Sequence, residues 1–158
     1  MNRDGRSPGP PPLRRETSPC QWESVPARAY KPAGSADFRD VTRRVLFDAP
    51  WGLRSQVRCF TIGPGGYTTL ERHRHVHAVI ILEGRGRVLV GRTVFDVAPR
   101  DLVAVPPETW HQLRAAPDTP LSFLCIVDAD RDRPELPSDG DLAELRRDPA
   151  IRAFLDGQ

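Results

Sequence analysis

From Val41 onward the chain alternates short apolar runs with turn residues. The runs are VTRRVLF (41–47), SQVRCFTI (55–62), HAVIILEG (77–84), GRVLVG (86–91), TVFDVA (93–98), DLVAVP (101–106) and LSFLCIVD (121–128). Gly63 to Gly66, Gly84-Arg85-Gly86, Gly91, Pro99, Pro106-Pro107 and Pro117 to Pro120 separate most of them. Apolar runs of this length and spacing predict an all-β sandwich or barrel, and no helical period interrupts 41–128. Helix is expected only at the end, over Asp141–Leu145 and Ala150–Leu155. Asp148 would cap the second helix and Pro149 would occupy its first turn. Both helices are expected to pack over one end of the barrel.

Ahead of the strands the composition changes. Residues 1–20 hold five prolines, two glycines and four arginines, with Leu13 the only large aliphatic besides Met1. Such a segment buries too little apolar surface to offset its ordering entropy. The expected organisation is a disordered Pro/Arg-rich tail over 1–25, a barrel with an N-terminal strand extension over 26–130, and a loop with short helices over 131–158. The length of 158 residues suits one domain.

Charge and composition exclude several classes. A net charge of +2 from 23 basic and 21 acidic residues shows no gathered basic face, so no nucleic-acid partner is expected. No apolar run approaches the roughly 18 residues of a membrane span, and no membrane partner is expected. The N-terminus lacks an apolar segment of the signal-peptide kind, which makes the cytoplasm the expected compartment. Cys20, Cys59 and Cys125 are odd in number and widely spaced, which suggests neither a disulfide framework nor a zinc knuckle.

The four histidines fall in two segments, Glu71-Arg72-His73-Arg74-His75-Val76-His77 and Pro106-Pro107-Glu108-Thr109-Trp110-His111. In an extended strand, residues 71, 73, 75 and 77 share one face and the arginines point to the other. Burying such a row unpaired costs several kcal/mol, on the order of 2–7 per polar group. Neutral imidazoles with a carboxylate form a good ligand set for a divalent transition metal, and metal binding is the expected chemistry.

These residues carry a family resemblance. Gly65-x5-Glu71-x-His73-x3-His77-x6-Gly84 is similar to the first cupin motif, Gly-x5-His-x-His-x3-4-Glu-x6-Gly. Glu71 stands at the first histidine and His77 at the glutamate. Moving His73 and His75 into the His-x-His pair fails, because Tyr67 would then occupy the glycine position. The second motif, Gly-x5-Pro-x-Gly-x2-His-x3-Asn, is matched at Pro106 and His111, with Arg100, Glu108 and Ala115 at its other positions. The resemblance covers about 55–128.

The resemblance implies a single cupin (jelly-roll) β-barrel, of the small single-domain bacterial type, with a divalent metal inside: Fe, Mn, Ni, Cu or Zn. It would be held by His73, His77, His111 and Glu71. In that frame His75 lies in the turn between the ligand strands, as an outer group or an alternative ligand. An uninterrupted strand over 71–77 would instead bring His75 in and displace Glu71. The resemblance also implies a small-molecule substrate or ligand and a homodimer, with residues 30–50 able to supply an exchanged strand.

Other residues carry less. Trp51 and Trp110 suit packing. Cys125 shares its face with Leu121 and Phe123, as a small core residue or as a thiol facing the interior. Gln112 alternates away from His111. Arg58 becomes a candidate for an anionic substrate if its face is inward. The run Asp128 to Pro134 reads as a solvated, self-paired loop. The expected function is a metal-dependent enzyme of the oxygenase, isomerase or lyase type, with oxidoreductase chemistry if the metal is iron. The alternative is a non-catalytic sensor or carrier. The absence of a helix-turn-helix pattern argues against a transcription regulator.

Overall fold

The computed structural model describes residues 11–157; residues 1–10 of the expected tail lie outside them. In chain order the strands are β1 (Glu16–Ser18), β2 (Gln21–Trp22), β3 (Arg28–Ala29), β4 (Arg39–Phe47), β5 (Ser55–Tyr67), β6 (His77–Gly84), β7 (Gly86–Val90), β8 (Thr93–Val97), β9 (Leu102–Val105), β10 (His111–Ala115) and β11 (Leu121–Asp128). Helices α1 (Asp139–Leu145) and α2 (Pro149–Leu155) follow. Each apolar run noted above becomes a strand.

The main sheet is antiparallel, in the order β8-β7-β10-β5-β11-β6-β9, with β4 on β5 and β3 on β4. It curls into a single barrel about β5. That strand pairs with β11 from Ser55 to Ile62 and with β10 at Tyr67. The Gly63–Gly66 stretch lies at this change of partner. Gly84 shows the same economy of space at the β6–β7 turn. Its φ is +80°, and a Cβ there would lie 1.7 Å from the Pro120 carbonyl oxygen, so only glycine fits.

Period-two alternation decides what each strand buries. Phe60 and Ile62 of β5, Val79 and Ile81 of β6, and Leu121 and Phe123 of β11 fill the barrel interior. Each such side chain contributes about 1.5–3 kcal/mol on burial. Both helices form where expected. Ser138 caps α1 in a reciprocal pair with Asp141, and Asp148 accepts from the Ala150 and Ile151 amides at the start of α2. Short helices depend on such caps and on packing. Here Ile151 and Phe154 are fully buried against Leu70 and Leu89, and α2 lies on β7 and β8.

One expectation is corrected. The tail does not extend to residue 25: β1 and β2 form a hairpin that seats Cys20 and Val25 on Leu46 and Cys59, on the outer face of the sheet. Those few apolar residues give the segment a partner surface that its proline content concealed. Within 30–50, β4 pairs with β5.

Candidate metal centre

The histidine segment is not one strand. Glu71 makes an isolated bridge to His111, residues 73–76 form a turn, and His77 opens β6. The shared face expected for 71, 73, 75 and 77 therefore does not exist as such. The turn still folds the imidazoles together. His73 stacks on His75 with ring centroids 3.5 Å apart and on His77 at 4.5 Å, and His111 closes edge-on at 4.8 Å from His73. One ring nitrogen from each of His73, His77 and His111 lies within 4.8 Å of the others.

Hydrogen bonds settle the tautomers. His73 Nδ1 lies 2.8 Å from the His75 carbonyl oxygen, and His111 Nδ1 lies 2.9 Å from that of Thr109. A carbonyl only accepts, so both Nδ1 atoms carry protons and both Nε2 lone pairs are free. His75 is oriented the same way, its Nδ1 donating to Asp132 Oδ1 at 2.8 Å while its Nε2 lies 3.3 Å from His77 Nε2. A carboxylate behind a histidine is the usual support of a metal-ligating imidazole.

Burial keeps these rings neutral. It pushes His73 down to about 4 and His77 far below the usual histidine range, with the neighbouring imidazoles adding to the shift. His111 is lowered by burial as well. His73 Nε2 is buried without a hydrogen-bond partner. Leaving such an atom unmatched costs about 1–3 kcal/mol, and a cation at that point would satisfy it. The donor set of neutral, convergent nitrogens fits a divalent transition metal.

Glu71 is placed beside this cluster but is engaged elsewhere, since its carboxylate forms an ion pair with Lys31. His75, His77, His111 and Glu71 line a cavity of about 610 Å³, together with Tyr30, Lys31, Phe60 and Phe123. Cys125 also lines it, and Arg58 Nη2 donates to the Cys125 sulfur at 3.3 Å. Arg58 therefore faces inward, as its conditional reading required. Gln112 is turned away and donates to the Thr68 carbonyl oxygen. Trp110 packs at the helix end beneath Arg72, and Trp51 packs on Phe47.

Sequence reasoning missed Asp132, Arg131, Lys31 and Arg43. The loop read as self-paired is drawn into the site: Asp132 accepts from the Arg74 and His75 amides, and Arg131 lines the cavity. Their local charge pattern carried no such signal.

An antiparallel barrel with imidazoles gathered at one cavity defines a small β-barrel protein with a site suited to a metal. The family model of the cupin domain matches residues 58–127, and the chain belongs to the cupin family. It is 55% identical over 146 residues to 1-methylthio-D-xylulose 5-phosphate methylsulfurylase of Rhodospirillum rubrum, covering 92% of this chain and 93% of that protein. The crystal structure of a cupin 2 conserved barrel domain protein from Rhodopseudomonas palustris superposes with a TM-score of 0.85 at 52% identity, covering 90% of this chain and 97% of that one. A cupin-2 domain structure from Rhodospirillum rubrum gives 0.83 at 54% identity, covering 93% and 98%.

Proposed function

We propose that this chain is a metal-dependent enzyme acting on a methylthio ketose phosphate, the substrate in the name of its Rhodospirillum rubrum relative, 1-methylthio-D-xylulose 5-phosphate methylsulfurylase, and that a thiol accepts the methylthio group. The observation that carries this reading is the Cys125 thiol, held by Arg58 in the same cavity as the imidazoles. His73, His77 and His111 would hold the metal, with His75 as fourth ligand, because Glu71 is already paired with Lys31. A divalent ion there supplies Lewis acidity toward a substrate carbonyl.

The chain's own groups do the rest. Burial, with the Glu71 carboxylate adding to it, raises the Cys125 thiol above its usual range, and the Arg58 guanidinium opposes that shift, so Arg58 stabilises the thiolate when it forms. The thiolate attacks the methylthio sulfur. A sulfur–sulfur bond forms, the carbon–sulfur bond breaks, and its electron pair stays on the carbon beside the carbonyl and takes up a proton. A low-molecular-weight thiol then releases the methylthio group from Cys125 as a mixed disulfide. The apolar rings of Phe60 and Phe123 line the same cavity and limit the water that would compete.

The test is turnover of 1-methylthio-D-xylulose 5-phosphate by metal-loaded protein with a small thiol, repeated on Cys125→Ser. Wild type should release the desulfurated ketose phosphate. Cys125→Ser should keep its metal and lose at least about 10³-fold in rate, as loss of a covalent nucleophile does. Without external thiol, intact-mass analysis should find a methylthio adduct on wild type only. No turnover by the loaded wild type overturns the activity, and full turnover by Cys125→Ser overturns the role of the thiol.

A further inference from the structure

The interior face of β3, β4, β5 and β11 is unusually cationic. Arg28 of β3 sits directly opposite Arg43 of β4, and Arg43 lies opposite Phe60. One pleat along, Arg58 lies opposite Cys125. With Arg131, which follows β11, these guanidiniums line one side of the cavity.

Like charges directly across a strand pair destabilise a sheet, and no carboxylate among the described residues offsets these. Among the described residues, none of Arg28, Arg43, Arg58 or Arg131 makes an ion pair with a carboxylate. Arg131 is held only by the neutral Asp128 carbonyl and Gln56 side-chain oxygens. The two carboxylates lining the cavity, Glu71 and Asp132, are taken by Lys31 and His75.

The unmet hydrogen-bonding capacity is specific. Arg58 is only 8% exposed, and its Nε is buried without a partner, as is the Nε of Arg43. Burial, with their mutual repulsion, also lowers the affinity of Arg43 and Arg131 for their protons. Four crowded guanidiniums, two of them with a buried and unpartnered Nε–H, form a receptor for a compact dianion, which they can bind through paired charge-assisted hydrogen bonds.

We infer that Arg28, Arg43, Arg58 and Arg131 form a phosphate-monoester subsite. It seats the phosphorylated end of the substrate and presents the other end to the imidazoles and Cys125. This rests on the proposed activity for the identity of the substrate, but the anion site itself follows from the arginines alone. Arg58 bridges the two functions, so the test avoids it and uses Arg43→Gln and Arg131→Gln. Arg44→Gln, on the same strand and outside the cavity, is the control.

Inorganic phosphate should raise the melting temperature of wild type and of Arg44→Gln. It should do so much less for Arg43→Gln and Arg131→Gln. In the absence of phosphate, Arg43→Gln should melt at or above wild type, since it relieves like-charge crowding; an arginine with a merely structural role would lose stability. In turnover, each cavity variant should raise KM at least about 10-fold, the effect of losing a charge-assisted hydrogen bond, with kcat changing less. The preference of wild type for 1-methylthio-D-xylulose 5-phosphate over the same ketose without phosphate should collapse in the double variant.

An equal phosphate shift in wild type and both cavity variants overturns the subsite. A phosphate shift lost in the variants with the substrate preference unchanged also overturns it, since the arginines would then bind free anion and not the ester. If wild type does not turn over the ketose phosphate, the proposed activity fails, and the melting experiment still decides the anion site.

Discussion

Arg58 and Cys59 are consecutive on β5 and both are almost fully buried, at 8% and 2% exposure, yet they belong to different kinds of interior. Cys59 points outward under the N-terminal hairpin, among Cys20, Val25 and Leu46, and packs as a small apolar residue. Arg58 points into the barrel, with one nitrogen on the Cys125 sulfur and another unpartnered. The outer cluster is apolar and closed. The inner one buries charge and leaves polar atoms unmatched, a state that costs stability and persists only where a ligand or reaction uses it. Among the described residues, four buried side-chain atoms lack partners, and those of Arg43, Arg58 and His73 belong to the arginine and histidine groups of the site. A one-residue change of parity on a strand thus separates a structural interior from a functional one.

The sharpest way to break this contrast is to remove an imidazole. His111→Ala deletes a fully formed donor whose tautomer is fixed by Thr109. The variant should purify with almost no divalent metal where wild type carries about one per chain, a loss beyond the roughly 10–100-fold that supporting groups cost. Arg72→Ala, which removes only an exposed pair with Glu135 and a stack on Trp110, should keep its metal. Elemental analysis of protein purified without a histidine tag checks both. Full occupancy in His111→Ala would remove the site as assigned.

A smaller effect sharpens the choice of fourth ligand. Asp132→Asn leaves the loop in place but weakens the hold on His75 Nδ1, so metal affinity should fall about 10–100-fold. Glu71→Gln frees Lys31 without touching the imidazoles and should change affinity by much less. Competition with a metal-binding dye measures both. The reverse order would make Glu71 the ligand and His75 the bystander.

The strands, the helix caps at Asp148 and Pro149, and the gathering of histidines were legible because each depends on neighbours in sequence: alternation, capping chemistry and motif spacing. The reason for the gathering was only half legible. Continuous alternation over 71–77 predicted a strand face, whereas the turn at 73–76 stacks His73 on His75, nearer the arrangement that the family resemblance implied. Asp132 and Arg131 were illegible because a loop of mixed charges looks self-paired until the end of β11 is known to lie beside the histidine turn. Arg43 and Arg28 were hidden in the same way. Their significance lies in facing each other across β3 and β4, and strand pairing is not written into either strand alone.

The mildest effect on the site should come from the other face. Leu46 is 8% exposed and packs with Cys20, Val25 and Cys59. Leu46→Ala removes buried methyl groups and leaves a cavity, at a cost of about 2–5 kcal/mol. None of the imidazoles or cavity arginines touches that cluster, so metal content and phosphate response should remain those of wild type while chemical denaturation shifts to lower midpoint. If the two faces are as separate as strand parity makes them, stability falls with the site intact. If Leu46→Ala instead loses metal in parallel with stability, the hairpin-covered cluster supports the geometry of the imidazoles, and the division between the two interiors is one of chemistry only and not of mechanical independence.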